Sequence, residues 1–292
     1  MVAGPEVVQR VITAYRVAAE ANRRTATRTG SVVVLGPAEA AEVMITADLH
    51  GQRLNFLKLC RIASLADHPQ RHLIAQEACH GGPSYPLGNG CMSHLLLEDM
   101  AELKQRFPER FHFLLSNHEL AEWTEFPIAK GGRVLNLWFR AGLQTMYGEA
   151  AVAVRAAMIE FLATCPLAVR LANRIFICHG SPAHVPERGF APDFLQRALM
   201  AADLRSGSDA FRMLWGRDFR PENAAALADL LDADILIHGH EPCRQGFATP
   251  NERQVILDCS GRNARYLILP TGQPLTHAEV VQRIQRLHGP AS

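Results

Sequence analysis

The chain is 292 residues long, with 48% hydrophobic and 20% charged residues, a balance that suits one large domain or two small ones and excludes a disordered chain. Thirty Lys and Arg oppose 29 Asp and Glu, so the formal net charge of +1 offers no global basic field for nucleic acid or an anionic membrane. Seven cysteines without a C-x-x-C pair argue for reduced thiols in a cytoplasmic protein and against a disulfide scaffold.

The first six residues lack the basic and apolar regions of a secretory signal. Val8, Val11, Ile12, Tyr15, Ala18 and Ala19 at helical spacing predict a helix over residues 5 to about 28, stopped by Gly30 and appended to the surface. Strands are expected at 31–35 and 43–46, on either side of a turn at Gly36-Pro37. Leu54, Leu57, Ile62 and Leu65 form the apolar face of a helix over 54–66. A short strand at 72–75 is followed by a loop rich in Gly and Pro at 81–90. Ser93 caps a helix that runs to 107, and 111–115 is the next strand. Residues 119–164 read as a largely helical insertion broken near Gly131-Gly132, and its aromatics, Trp123, Phe126, Trp138, Phe139 and Tyr147, suit helix packing or a cap over a site. The apolar run 150–169 is interrupted by Arg155, Glu160 and Pro166, which excludes a membrane span. Strands follow at 175–178, 235–237, 255–258 and 266–269. Val280, Val281, Ile284 and Leu287 predict a final amphipathic helix over 276–292. With no low-complexity linker and no repeat, the alternation of strands and helices predicts one α/β domain over 30–275 between the two terminal helices.

Thirteen histidines are roughly twice the average complement for such a length, and their placement is informative. Five predicted strands run from apolar residues into metal-ligand types: Ala47-Asp48-Leu49-His50-Gly51, Ala75-Gln76-Glu77, Ser116-Asn117-His118-Glu119, Cys178-His179-Gly180 and His238-Gly239-His240. Asp48 and His50 are two apart, so an extended strand end projects them to one side. One strand-end Asp is usually a turn residue and one His beside an apolar run is usually a core histidine. Five such endings require that explanation to succeed independently five times. In open α/β sheets ligands gather where strand ends converge. Carboxylate, amide oxygen and imidazole together suit Mn, Fe or Zn, and a bridging carboxylate would let two metals hold a hydroxide nucleophile between them.

The ordered set Asp48-x-His50-Gly51, Asn117-His118-Glu119, His179-Gly180 and Gly239-His240 resembles the calcineurin-like metallophosphoesterase superfamily, and within it the serine/threonine phosphoprotein phosphatase branch. Leu214-Trp215 resembles that branch's L-L-W-S-D-P segment, with Asp218 one place late, and Cys165-Pro166-Leu167 resembles its Leu-Pro-Leu run. The resemblance spans about 43–260 and implies a central two-sheet β-sandwich flanked by helices. It implies one transition metal on Asp48, His50 and a bridging carboxylate, and a second on that bridge with Asn117, His179 and His240. It also implies His118 as the general acid or transition-state stabiliser near the leaving oxygen, in attack by a metal-bridging hydroxide. Pro242 follows the last Gly-His where the wider superfamily often has histidine, which agrees with the phosphoprotein phosphatase branch.

The departures are specific. Gln76-Glu77-Ala78-Cys79-His80-Gly81-Gly82 replaces G-D-x-x-D-R-G, so Glu77 takes the bridging position with one methylene more. His80 stands where the family's Asp supports the catalytic histidine, as a substitute donor or a plain loop residue. Leu115 and Gly81 replace the arginines that grip phosphoryl oxygens. A dianionic monoester gains most from a bidentate guanidinium, and a diester needs it less. Arg244, Arg262 and Arg265 lie near later strand ends, and His80, His238 and Arg244 are the candidate substrate contacts. The expected activity is a dinuclear, metal-dependent phosphoesterase on a phosphate ester, phosphoprotein included, with monoesters slightly favoured. A phosphodiesterase of the same superfamily and a non-catalytic binder of metal or phospho-ligand are the alternatives.

Overall fold

In a computed structural model describing residues 2–86 and 89–289, the strands form two large sheets whose inner faces pack on each other. Residues 87 and 88 of the predicted loop, residue 1 and the last three residues lie outside the described set.

The first sheet places β3 (Glu42–Asp48) beside β4 (Arg71–Gln76) and β4 beside β5 (Phe111–Leu114), all parallel, with β13 (Arg265–Pro270) antiparallel to β3 and β14 (Ile284–Arg286) at the edge. The second has seven strands. Its order is β1 (Arg28–Thr29), β2 (Val32–Leu35), β8 (Ala168–Leu171), β9 (Ile175–Cys178), β10 (Ile235–His238), β12 (Gln254–Leu257) and β11 (Phe247–Asn251).

Alternation along each strand sorts side chains between two cores. Val43, Ile45, Ile74, Ile177 and Ile237 join the layer between the sheets, whereas Met44, Leu73, Phe176 and Leu236 face the helices. Both faces are covered, which is why these strands read as unbroken apolar runs. The outer core takes α1 (Pro5–Arg24), α2 (Arg53–Ala63), α3 (Ser93–Arg106), α5 (Leu135–Tyr147) and α6 (Ala151–Leu162). The short α4 (Asn117–Thr124) follows β5, and α7 (Val185–Arg188), α8 (Asp209–Trp215) and α9 (Pro221–Leu230) lie between β9 and β10 in the chain. Among the described residues no helix is long and apolar enough to cross a membrane.

Two expectations about elements are corrected. The N-terminal helix ends at Arg24, and it is no appendage: Val11, Tyr15, Ala18 and Ala19 are buried in the outer core. The C-terminal helix, α10, covers His277–Gln282 alone, and Ile284–Arg286 turns back as β14 against β13. Its few apolar residues fit either period, and the open edge of β13 supplies the hydrogen bonds that decide. The 119–164 segment is helical except for a hairpin at Gly131-Gly132, formed by β6 (Ala129–Lys130) and β7 (Arg133–Val134). Phe139 and Tyr147 there are core residues.

Candidate metal centre

The carboxyl ends of β3, β4, β5, β9 and β10 open on one edge of the sandwich, and a bridge between Asp48 and Asp258 joins the sheets there. Their parallel direction brings residues distant in sequence together. Glu77 lies at the centre, 1% exposed, with Oε2 3.2 Å from His50 Nε2 and Oε1 3.4 Å from His179 Nε2 and 3.9 Å from His118 Nε2. His179 Nε2 is also 2.8 Å from Asn117 Oδ1. Two overlapping donor groups, His50 with Glu77 and His118, and Glu77 with His179 and His240, each hold their ligand atoms within 4.8 Å of one another. Asp48 adjoins Glu77, and its Oδ1 accepts the His240 N–H at 2.8 Å.

Local backbone sets these directions. His50, Glu77, His80 and His240 have φ of +42°, +47°, +62° and +68°, a region that costs a non-glycine residue of order 1–2 kcal/mol and recurs at functional sites. Glu119 holds the Glu77 loop in place: its Oε1 accepts the N–H groups of Ala78 and Cys79 at 3.0 and 2.7 Å, and its Oε2 accepts from Ser116 Oγ. Ser116 in turn caps α4 through the His118 N–H. Gly239 is required because a Cβ there would collide with the Asp48 carboxylate.

The outward nitrogen of each of three imidazoles meets an oxygen that only accepts. His50 Nδ1 lies 3.3 Å from Cys79 O, His179 Nδ1 3.2 Å from Gln76 Oε1, and His240 Nε2 3.2 Å from Trp215 O. Each ring therefore donates outward and turns a lone pair inward. Inside, the lone pairs of His50 and His179 meet the oxygens of Glu77 and Asn117, a cluster of acceptors that suits a cation, while His240 Nδ1 lies 3.4 Å from Arg217 Nη2. Burial and the neighbouring Glu77 push the Asp48 carboxyl well up. Burial also pushes Glu77 up, while positive charge on His50, His179 and His118, when those rings are protonated, pulls it well below the usual carboxylate range. Burial pushes His118 well down and His240 down to about 3. The donor set fits Mn, Fe or Zn.

The sequence matches no protein-family model, and no curated protein matches it. Solved structures do match by shape. A Saccharomyces cerevisiae serine/threonine phosphatase with similarity to human phosphatase PP5 superposes with a TM-score of 0.69 at 13% identity, over 95% of this chain and 88% of that one. A mutant of a cold-active protein tyrosine phosphatase gives 0.57 at 14% identity over 92% and 84%, and the Shewanella cold-active protein-tyrosine phosphatase gives 0.53 at 13% over the same shares. The chain has the phosphoprotein phosphatase fold.

Within that fold, six predicted ligands converge: Asp48, His50, Glu77, Asn117, His179 and His240. His118 joins them from the open side, its side chain 14% exposed beside His50 at 25%. The three predicted substrate contacts do not join them. His238 is fully buried, between Cys178 Sγ and Gln254 Nε2. Arg244 is exposed on the following loop, where its carbonyl accepts from Asn263. His80 is buried with both ring nitrogens engaged, by His118 and Glu122, and has none left for substrate. Arg217 was not anticipated: its Nη2 donates to His240 O at 2.7 Å and its Nε pairs with Glu241, with the side chain 46% exposed at the rim. Gly81 admits no side chain without strain, since its φ is +122° and a Cβ would lie 2.9 Å from His50 O.

Proposed function

We propose that the chain is a metal-dependent phosphoesterase, with phosphomonoesters, phosphoproteins among them, ahead of diesters. The observation that carries this reading is Glu77 lying between two donor groups, one buried and one open on its outer side, the arrangement a shared ligand of two metals requires. The names of its structural neighbours, a serine/threonine phosphatase and protein tyrosine phosphatases, support the same reaction class.

Metals on Asp48, His50 and Glu77 and on Glu77, Asn117, His179 and His240 would supply Lewis acidity at the phosphoryl oxygens and an acidified water as nucleophile. The chain's own residues supply the rest. Asp48, Glu77 and the outward-bonded imidazoles hold the ligand atoms rigidly, so little reorganisation is needed during reaction. His118 Nε2 faces the site from the open side, placed to give a proton to the departing alcohol oxygen. Arg217, half-exposed at the rim, offers guanidinium N–H groups to a phosphoryl dianion.

Leu115 and Gly81, which carry no guanidinium, favour a second reading, the phosphodiesterase. A matched assay of manganese-loaded protein on an aryl phosphate monoester and its diester, at equal metal occupancy and with a His118→Ala control, separates the two. Monoester preference that falls about 10²-fold or more in His118→Ala supports the phosphatase. Diester preference selects the second reading. Metal-loaded protein inert on both, with His118→Ala indistinguishable, would sink both in favour of a binding protein.

A further inference from the structure

At the metal-bearing edge of the sandwich, beyond the ligand cluster, four arginines gather on two loops and the last strand pair. β12 runs parallel to β10, β13 antiparallel to β3 and β14 antiparallel to β13. The loops after β10 and β12, the start of β13 and the end of β14 therefore all come to that edge. Arg244 follows the ligand His240 on the first loop, Arg262 lies on the second, Arg265 opens β13 and Arg286 closes β14. Hydrogen bonds stitch the loops together: Asn263 Nδ2 donates to Arg244 O at 2.9 Å and Arg265 Nε to Gln245 O at 3.1 Å. Others tie them to the centre, from Cys243 N to Asp258 Oδ2 and from Cys259 N to Asp48 O, both at 3.0 Å. Arg265 shares the inter-sheet face with Leu267 and Leu269, so it emerges at the seam where the two sheets open.

Folding alone gains nothing from this arrangement. Arg265 and Arg286 are cross-strand partners in register, and like charges directly opposite on one face destabilise a strand pair. Burial and the neighbouring Arg286 both pull the Arg265 guanidinium down. Lys58 of α2 adds a fifth charge, its Nζ 3.5 Å from the ring of His288, which follows Arg286 closely in the chain. Among the described residues none of the five has a carboxylate within 4.0 Å. The carboxylates on the same loops are already engaged, Glu241 by Arg217 and Asp258 by Ser260 and Cys243. With a net charge of +1 for the whole chain, such a group is a local excess.

We propose that this patch docks an acidic segment of a phosphoprotein substrate, a role that rests on the phosphoesterase reading above. Neighbouring strands lie about 4.8 Å apart, so Arg265 stands one spacing and Arg286 two from the strand that carries Asp48. An extended chain advances about 3.3 Å per residue, which brings side chains about two to four positions from the phosphorylated one over the arginines. Guanidinium groups match carboxylates in charge and in planar shape. Complementary charge of this kind sets specificity and encounter rate more than affinity. A polynucleotide fits less well: the ring beside the arginines, Phe247, is covered by Arg265 at 5.6 Å from its centroid and offers a base no stacking surface.

Phosphate release by the full-length, manganese-loaded protein is compared on two phosphoserine peptides, alike except for aspartates or asparagines on both sides of the phosphoserine. kcat/KM should favour the aspartate peptide about tenfold at low salt, mainly through KM. The ratio should shrink towards one as sodium chloride is raised to about 0.5 M. The double variant Arg262→Glu/Arg286→Glu should invert the ratio. Its kcat/KM on phenyl phosphate, which is too small to reach the patch, should stay within about twofold of wild type and so report an intact fold. Equal rates on the two peptides, with phenyl phosphate hydrolysed, overturn the docking patch and leave the phosphoesterase reading standing. If no ester is hydrolysed, fluorescence anisotropy of the labelled aspartate peptide without its phosphate decides between the two. Binding that disappears in the double variant upholds the acidic docking and sinks the phosphoesterase reading, whereas no binding overturns both. A labelled oligothymidylate that binds more tightly than the aspartate peptide, and is lost in the same variant, overturns the acidic segment in favour of nucleic acid.

Discussion

Gln76 decides which face of His179 is free to bind. Its Oε1 takes the Nδ1 hydrogen, and its Nε2 is buried without a partner. Removing such an outer contact commonly costs about 10–100-fold in metal affinity, and Gln76→Leu is expected to weaken manganese binding by that factor in a chelator competition. Glu77→Gln has a different signature, because the shared residue serves both donor groups: elemental analysis after loading should find both ions reduced, against one in Asn117→Ala. Asp48, His50, Asn117, His179 and His240 were legible in the sequence because each follows an apolar strand at fixed spacing. Gln76, Glu119, Glu122 and Arg217 were not, since a polar residue near a strand end or on a helix carries no sign of what it will face. Glu122, four residues after His118, left the one usable signal, a shared helix face.

Among elements, α1 best separates pattern from packing. Its apolar stripe predicted a helix, but the stripe does not say what covers it. In the fold Tyr15 lies against Phe161 of α6, with centroids 6.0 Å apart, and Asn22 Nδ2 donates to Thr164 Oγ1 at 3.1 Å. Tyr15→Ala should therefore destabilise by about 3–5 kcal/mol in urea unfolding. The Tyr15 hydroxyl is buried without a partner, so Tyr15→Phe should be neutral or stabilising by about 1 kcal/mol. A Tyr15→Ala chain as stable as wild type would return α1 to the appended helix of the sequence reading. The central strands were found nearly to the residue, because both of their faces are buried. β8, β11 and β14 were not, being short or at edges where hydrogen bonding to a neighbour outweighs intrinsic preference.

For the whole molecule, buried neutral histidines away from the ligand cluster set a response to acid. His72 and His112 are stacked, with His72 Nδ1 3.0 Å from His112 Nε2. Burial lowers His72 to about 4 and pushes His112 well down, and it lowers His238 to about 4. An unfolded histidine titrates near 6.5, so between about 6.5 and 4 the unfolded chain binds more protons than the folded one. Stability is then complete above about pH 6.5 and is lost as pH falls towards 4, by of order 1–3 kcal/mol for each such histidine. Urea midpoints of the metal-free protein should drop between pH 7.5 and 5, with a shallower slope in a His72→Gln/His112→Gln chain. An equal slope in that chain would remove the pair as the cause.

The sequence by itself determined the α/β class, the central strands and the residue types gathered at their carboxyl ends, because apolar periodicity and strand-end spacing are local properties. Only the tertiary structure decided that His238 and His80 turn inward, and that α1 belongs to the core. Those outcomes depend on which distant side chain arrives at hydrogen-bond distance, and no spacing along one strand or helix encodes that arrival.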